Sequence, residues 1–466
     1  MTAMRLNRFS ILSEGYTKMR KLPLLSVLVG AFVLAGCSDD LLIPDFNNPS
    51  LEELTTSPTR VLVNTAAQGL LVGTRRQMGT RNGYVSLLGI LGRESYNFDG
   101  SDPRFITEML GGALDPGSPA FGANLWTLRY RNIRNANILL NSLAEVQGFS
   151  NAELEAIRGF AKTIQALDLL MVINTRDTNG AVIDTDRPLD ADPAPIVGKD
   201  QVFTAIVGLL DEAQGHLQAG GGSFPFALSS GFAGFDTPAT FMMFNRALKA
   251  RVDVYMGNFS GALVSLGASF LDTGADLNLG VYHTFGTGTG DTRNNLFDPS
   301  QTPDILAHPS AAAAAELKGN GDVDDRIAAK IRDIPPQTQL SVTSGKAFSI
   351  YESTGATIPF IRNEELILLR AEANVGLGNV TDAADDINFI RTTSGGLAAR
   401  TDLTSANILD ELLNQKWLSL LFEGGHRWID MRRYGKLSEL PLAVPSHRVN
   451  EKFPIPEAEQ LARQGG

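Results

Sequence analysis

The side chains with the clearest chemical potential stand close together near the carboxy terminus of the chain. His426 and Asp430 are four positions apart, so one helical face would carry both, and Glu423 precedes them by one turn. A carboxylate that orients an imidazole is the arrangement of a general base. No Gly-x-Ser-x-Gly turn and no His-Glu-x-x-His pair accompanies them. We therefore interpret Glu423, His426, Arg427, Trp428 and Asp430 as a structural ion and hydrogen-bond network and predict no catalytic residues.

Two further polar segments could bind ions or phosphate groups. Asp322, Asp324 and Asp325 are spaced like the ligands of a calcium loop, but Ile327 stands where an EF-hand needs glycine. Residues 286–291 are rich in glycine but lack the Gly-Lys-Ser/Thr of a phosphate-binding loop. We predict a solvated acidic turn, a flexible loop, and neither a metal site nor a cofactor.

Aromatic rings beside amides and carboxylates occur in two long segments rich in glycine and polar residues, 92–120 and 273–312. Sugars present apolar C–H faces and a rim of hydroxyl groups, which such side chains suit. The predicted ligand-binding residues are Tyr96, Asn97, Asp99, Tyr282, Asn294 and Phe297. The alternative is that these rings only pin their loops to the scaffold. Because all three tryptophans lie in helical patterns, a peptide or another small nutrient stays open as the ligand.

The single cysteine, Cys37, ends a targeting segment and excludes an internal disulfide framework. Arg20 and Lys21 precede an apolar run at residues 22–36, which is too short to span a bilayer and fits the core of an export signal. The run ends in Leu34-Ala35-Gly36-Cys37, a bacterial lipobox. We predict a signal peptide at 1–36, lipid attachment at Cys37 and an extended tether over 37–58. The alternative is a plain secretory signal with an incidental cysteine.

The rest of the chain has the composition and periodicity of a helical globular protein. The 466 residues carry a net charge of −11, and 43% are hydrophobic, which excludes wholesale disorder and a nucleic-acid partner. Apolar spacings of three and four predict helices at 59–74, 121–145, 150–170, 200–218, 238–256, 260–272, 362–377, 381–393, 404–424 and 426–434. Strands are predicted only at 349–352 and 357–360.

One internal repeat indicates how these helices are arranged. Alanines stand seven residues before and five residues after Gly257-Asn258, and again around Gly378-Asn379. A glycine that ends one helix and small residues that permit close contact are typical of tetratricopeptide-like helical hairpins. We predict an all-α fold in which tetratricopeptide-like repeats over residues 59–466 form a superhelical scaffold with long irregular loop insertions.

Several segments together resemble the SusD/RagB family of outer-membrane nutrient-binding lipoproteins. The strongest is residues 418–433, which contain Glu423-Gly424-Gly425-His426-Arg427-Trp428-Ile429-Asp430; it follows 362–373 and 386–391 in the order usual for that family. Residues 130–137 and Phe453-Pro454-Ile455-Pro456 are also similar. Two departures stand out, the extra glycine of Gly424-Gly425 and Asn174-Thr175-Arg176-Asp177 in place of a Tyr-Gly-Asp-x-Pro loop.

The resemblance implies a non-enzymatic lipoprotein of the cell outer membrane that faces the exterior. Such a protein captures a nutrient, typically an oligosaccharide, and caps a SusC-like TonB-dependent transporter. The acidic residues that follow Cys37 are associated in that family with export to the cell surface. Two alternatives stay open, a lipid-anchored carbohydrate-active hydrolase and a repeat scaffold that faces the periplasm.

Overall fold

Helices dominate the computed structural model, which describes residues 51–188 and 190–464. The predicted signal peptide, Cys37 and the tether up to residue 50 lie outside the described residues. The helices are α1 (Leu51–Thr56), α2 (Arg60–Arg75), α3 (Tyr84–Leu91), α4 (Arg104–Thr107), α5 (Asn124–Ser142), α6 (Asn151–Arg176), α7 (Lys199–Gln218), α8 (Pro238–Met256), α9 (Phe259–Gly267), α10 (Pro309–Ala314), α11 (Asp325–Lys330), α12 (Asn363–Leu377), α13 (Val380–Thr393), α14 (Ile408–Ser419), α15 (His426–Arg433) and α16 (Glu457–Ala462).

The predicted helices are all present, and several begin at residues that cap them. Ser150 accepts a hydrogen bond from the Glu153 amide while the Glu153 carboxylate binds the Ser150 amide, so α6 begins with a complete capping box. Thr237 caps α8, with proline at its first turn. Helix α1 differs from the prediction of an extended tether over 37–58. The last part of that segment is helical, and its Leu54 side chain is buried in the core.

The predicted repeat is confirmed as two helical hairpins. Gly257 ends α8 and Gly378 ends α12, with φ of 74° and 77°, the left-handed conformation that glycine adopts without strain. In both hairpins the following asparagine amide binds a carbonyl near the end of the preceding helix. Helix α9 packs on α12, so the hairpins stack on one another, as in a helical repeat array.

Short strands form the rest of the regular structure. They are β1 (Ser95–Asn97), β2 (Ala181–Val182), β3 (Ile196–Val197), β4 (Gly280–His283), β5 (Ile305–Ala307), β6 (Ile331–Gln339), β7 (Val342–Phe348) and β8 (Ile358–Arg362). One antiparallel sheet has the order β1-β5-β7-β6, and the pairs β2-β3 and β4-β8 stand apart. The predicted strand at 357–360 overlaps β8, whereas the one at 349–352 is wrong.

The long hairpin of β6 and β7 was not predicted, and its turn gives the physical reason. The two turn residues, Leu340 and Ser341, have φ of 48° and 67°, values for which Asn-Gly is the usual sequence signal. In addition, Pro335 and Pro336 interrupt the strand pattern, and the register shifts between Asp333 and Gln337. The hairpin is held instead by burial of Ile331, Val342 and Ala347.

The core has three parts, which tie the sheet to the repeats. One lies among α2 and α5–α9, one surrounds the four-stranded sheet and α15, and one lies among α12, α13 and α14. Of the helices in the described ranges, none combines the length and the apolar composition that a bilayer span requires.

Candidate ligand-binding surface

The two irregular segments predicted to bind ligand meet in the four-stranded sheet. Strand β1 pairs antiparallel with β5, so Tyr96 lies opposite Leu306 and Asn97 opposite Ile305. The pairing continues beyond the strand, because the Phe98 amide donates to the Asp304 carbonyl over 2.7 Å. The Asn295 amide donates to the Gly79 carbonyl, also over 2.7 Å, so the loop before α3 is bonded to the second segment. Segments more than 200 residues apart in sequence are thus joined through their main chains.

The side chains that project from this junction form what we call the Arg81 surface. Its members share partial exposure and are Arg81, Phe98, Asp99, Phe297, Asp298 and Asp304. The Arg81 guanidinium is 45% exposed; it pairs with the Asp304 carboxylate and lies 3.8 Å from that of Asp298. The surface therefore combines two aromatic rings with one cation and three carboxylates.

Three of the predicted ligand-binding residues are used inside the protein beneath this surface. Asn97 is 1% exposed, and its amide donates to the Arg81 carbonyl and accepts from the Asp99 amide. Asn294 is fully buried and binds the main chain at Ala356 and Leu296. Tyr96 is 3% exposed, stacks on Phe98 with 5.9 Å between ring centroids, and packs on His308. These three residues position the surface rather than form its exposed face.

Tyr282 lies elsewhere, in a separate cleft of about 260 Å³, which we call the Tyr282 cleft. Gln68 and Arg75 of α2 form one wall, and Ser229 and Phe232 lie on the other side. The Tyr282 hydroxyl donates to the Asn278 carbonyl, and burial raises the pKa of Tyr282 to about 12. The half-exposed ring therefore remains neutral and offers its face, with an amide, a hydroxyl and a guanidinium nearby.

The Arg81 surface and the Tyr282 cleft both suit a neutral polyhydroxyl ligand. Partly exposed rings can take the apolar face of a sugar, and carboxylates, amides and guanidinium groups can bind its hydroxyls. The sequence patterns did not predict that Arg81, Asp298 and Asp304 belong to the Arg81 surface. No strand pattern signals the partial exposure of Phe98, because Phe98 lies one residue beyond β1 and its alternate neighbour Tyr96 is buried.

The five residues that we interpret as a structural network do not form one cluster. They make separate contacts in and around α15. Glu423 lies 2.8 Å from Arg362 and 3.0 Å from Lys330, and these cations hold the pKa of Glu423 at about 2 although burial alone would raise it. The Trp428 ring is fully buried, and its indole N–H donates to the Asn450 carbonyl. Glu423 thus connects the turn before α15 to α11 and β8, and Trp428 connects α15 to the main chain at Asn450.

Asp430 belongs to a second group, which we call the carboxy-terminal ion network and which comprises Glu372, Lys416, Asp430 and Arg433. The Lys416 ammonium lies 2.6 Å from Glu372 and 2.7 Å from Asp430, and Arg433 lies 2.8 Å from Glu372. Lys416 is 2% exposed and Glu372 is fully buried. The network links α12 of the second hairpin to α14 and α15.

Arg427 and His426 have different surroundings. The Arg427 guanidinium stacks 3.3 Å from the centroid of the Trp417 ring and donates to the Arg93 carbonyl. Burial lowers the pKa of Arg427 to about 9, and burial raises the pKa of the neighbouring Glu94 to about 8. His426 lines a small internal cavity with Arg251 and His283, and burial lowers its pKa. Neither residue faces an open cleft with a nucleophile.

The prediction of a solvated acidic turn is wrong for Asp324, whereas Asp322 and Asp325 are exposed. Asp324 is fully buried, caps α11 and holds the Arg326 guanidinium through both oxygens. Within residues 51–188 and 190–464, no three His, Cys, Asp or Glu side chains are grouped so that they could hold a metal ion.

Comparison with known proteins points in one direction. The model of the SusD family matches residues 334–461. A SusD superfamily protein from Bacteroides vulgatus ATCC 8482 is 13% identical with a TM-score of 0.65, and the match covers 87% of this chain and 97% of that one. A SusD-like carbohydrate binding protein from Bacteroides fragilis NCTC 9343 is 14% identical with a TM-score of 0.67, over 85% of this chain and 97% of that one.

A laminarin binding SusD-like protein is 17% identical with a TM-score of 0.59, and the match covers 86% of this chain and 98% of that one. No curated protein sequence matches the chain. At these identities the structural matches establish the fold. They also confirm the prediction of a tetratricopeptide-like helical scaffold.

Proposed function

We propose that this chain is a member of the SusD family and a non-catalytic binding protein for a nutrient oligosaccharide; the family-model match over residues 334–461 and the shared fold support this. The observation that carries this proposal is the Arg81 surface, where Phe98 and Phe297 lie half-exposed beside Arg81, Asp99 and Asp298. Two solved relatives are described as a carbohydrate binding and a laminarin binding protein, which supports the same ligand class here.

Stacking on exposed rings gives a direct test of the ligand. We expect Phe98→Ala and Phe297→Ala each to weaken binding to a soluble oligosaccharide about tenfold, since a lost ring contact costs about 1.4 kcal/mol. Calorimetric titration of the purified protein against a panel of β-1,3-, α-1,4- and β-1,4-linked oligosaccharides measures the change. Tyr282→Ala, examined in the same way, reports whether the Tyr282 cleft belongs to the same ligand site.

Phe389→Ala is the matched control, because Phe389 is a half-exposed phenylalanine on α13, outside both places. It should leave the affinity unchanged. If a glycan binds and both surface variants keep wild-type affinity, the Arg81 surface is not the site. Turnover of any panel member by the purified protein would contradict a binding role and favour the hydrolase alternative.

The proposal extends to location and partner. Acylation of Cys37 would attach the chain to the outer membrane at about 0.8 kcal/mol per buried methylene, and a TonB-dependent transporter would receive the ligand. The match of residues 334–461 to the SusD family model and the lipobox support this arrangement. The protein would then lie on the exterior face as a cap over the transporter.

Replacing the anchor cysteine tests the location. We expect Cys37→Ser to move the protein from the membrane fraction to the soluble fraction of lysed cells, because no lipid is attached. Wild-type protein should be cut by protease added to whole cells and should copurify with a large transporter in mild detergent. Retention of Cys37→Ser in the membrane contradicts lipid anchoring, and protection of the wild type from protease would place it in the periplasm.

A further inference from the structure

A small cavity adjoins the Tyr282 cleft on its inner side, and we call it the His283 cavity. Its volume is about 40 Å³, and its polar lining includes Asn174, Arg251, Tyr255, His283, Glu423 and His426. His283 of β4 and Phe360 of β8 line both the cavity and the cleft. Their rings stack with centroids 3.6 Å apart, so this ring pair borders both spaces.

The pairing of β4 with β8 explains why these two rings lie side by side. The register shifts between Val281 and Tyr282, where Phe360 is the extra residue of a bulge. A bulge turns side chains away from the ordinary alternation of a strand, and here the Phe360 ring stacks on His283. Stacking fixes the plane of the His283 ring but satisfies neither of its nitrogens.

Two histidine rings at the cavity have no hydrogen-bond partner in the protein. His283 is 4% exposed, yet no group within residues 51–188 and 190–464 bonds its ring, and the same is true of the His426 ring. Their nitrogens are not sealed by surrounding atoms, unlike Nε2 of His308. Burial lowers the pKa of both rings, so at pH 7 each is neutral, with one donor and one acceptor nitrogen. Buried polar groups of this kind are usually bonded to protein or to ordered water.

Two other lining side chains each keep one polar atom unused. Asn174 donates through its amide nitrogen to the Tyr84 hydroxyl over 3.4 Å, and its amide oxygen accepts nothing from the described residues. Arg251 donates through Nε and Nη2 to Glu365 and to the Phe360 carbonyl, and its Nη1 has no bond within the same residues. The cavity thus offers one further acceptor and one further donor besides the two rings.

The volume and the charge of the cavity both favour water as its occupant. A buried water needs about 10–15 Å³ of such space and makes about three hydrogen bonds, so about three waters fit. The charged lining residues are already neutralised, because Arg251 lies 2.6 Å from Glu365 and Glu423 lies 2.8 Å from Arg362. A site with neutral rings and paired charges has no net charge with which to attract an ion.

We propose that the His283 cavity is a hydration site in which about three ordered waters bond the rings of His283 and His426. The same waters accept from Nη1 of Arg251 and donate to the amide oxygen of Asn174. They position the His283 ring, and through it one wall of the Tyr282 cleft. The hydration site does not depend on the proposed glycan binding, because side chains of the protein alone build it.

Crystals of the wild-type mature protein provide the measurement, at high resolution and in three states: untreated, pressurised with xenon, and soaked in bromide. We expect water peaks within about 3.2 Å of ring nitrogens of both His283 and His426, and neither xenon nor bromide in the cavity. Xenon enters dry apolar cavities, and the anomalous signal of bromide reports an anion site. Leu210→Ala is the positive control for xenon, since Leu210 is 1% exposed in the apolar core and its truncation opens a dry cavity.

A matched pair of histidine variants tests the role of the rings. His426→Leu should lose at least one of the water peaks, because the substitution removes both ring nitrogens at that position. His447→Leu should keep them all, since His447 does not line the cavity. In solution the chain has only five histidines to label with nitrogen-15, and the ring N–H groups of His283 and His426 should show cross-relaxation with water.

Each outcome decides the proposal. Water peaks on both rings of the wild type, reduced in His426→Leu and kept in His447→Leu, would support it. Xenon or bromide in the wild-type cavity, or a wild-type cavity without density, would overturn it. The wild-type crystals decide by themselves if His426→Leu does not fold.

Discussion

Replacing Lys416 with methionine is expected to lower the free energy of unfolding by about 3–5 kcal/mol, the usual cost of removing one partner from a buried ion network. The substitution leaves Glu372 and Asp430 buried without the ammonium that lies 2.6 and 2.7 Å from them. Arg433 is the cation that remains in the carboxy-terminal ion network, at 2.8 Å from Glu372 and 3.0 Å from Asp430. Urea unfolding at pH 7 measures the loss.

Lys436→Met is the matched control. Lys436 pairs with Asp410 and Glu439, whose side chains are 68% and 55% exposed, so its removal should cost less than about 1 kcal/mol. Equal losses in the two variants would mean that the carboxy-terminal ion network contributes no more than a surface pair.

The carboxy-terminal ion network also makes the stability of the protein depend on pH in the acidic range. Burial alone would raise the pKa of Glu372, but Arg433 and Lys416 hold it at about 2, below the usual 4.5. A carboxylate with a lowered folded-state pKa contributes stability that is complete above pH 4.5 and is lost as the pH falls towards 2. Wild-type protein should therefore lose stability over this range, and Lys416→Met should lose less of it.

Replacing Glu94 with glutamine is expected to stabilise the protein by about 2–4 kcal/mol at pH 8. Glu94 is fully buried, and neither carboxyl oxygen receives a hydrogen bond of ordinary geometry from the described residues, although Arg427 and the Phe422 amide lie near. Burial raises its pKa to about 8, so the native state retains a proton that the unfolded chain loses above pH 4.5. Stability must then fall as the pH rises from 4.5 to 8, by up to about 1.4 kcal/mol per unit.

The test is the slope of unfolding free energy against pH for the two proteins. Glutamine cannot ionise, so the variant should lack this part of the slope, and the two curves should converge near pH 4.5. Glu423→Gln is the contrasting control, because Glu423 is ionised between Arg362 and Lys330 and its neutralisation should destabilise the protein at pH 7. A Glu94→Gln curve parallel to wild type would mean that Glu94 is already ionised at neutral pH.

Local signals in the sequence were sufficient for the ten predicted helices, which include all the long ones, and for their repeat, whereas six short helices of the described ranges, such as Tyr84–Leu91, were not predicted. Ser150 with Glu153 marks the start of α6, and Gly257 and Gly378 mark two helix ends, because capping depends on residues within one turn. The β6-β7 hairpin escaped prediction because Leu340 and Ser341 adopt left-handed turn conformations that their residue types do not signal.

The Arg81 surface was predictable only as a pair of segments. The composition of 92–120 and 273–312 indicated polar and aromatic loops, and these do meet in the β1-β5 pair. Which residue of each loop is exposed depends on strand register, so Asn97 and Asn294 are buried while Phe98 and Phe297 are half-exposed. Arg81 and Asp304 lie 223 residues apart, and no local pattern relates them.

The loops of the Arg81 surface are held by bonds between peptide groups, from Phe98 to Asp304 and from Asn295 to Gly79. Peptide groups are the same whatever side chain they carry, so these two hydrogen bonds can persist in variants at 98, 99, 297 and 298, even where a variant loses the stacking of Phe98 on Tyr96. Under the proposed function, ligand preference can therefore be changed at these positions without changing the helical repeats. The proposed ligand-binding positions thus lie on loops, apart from the side chains that form the core of the helical repeats.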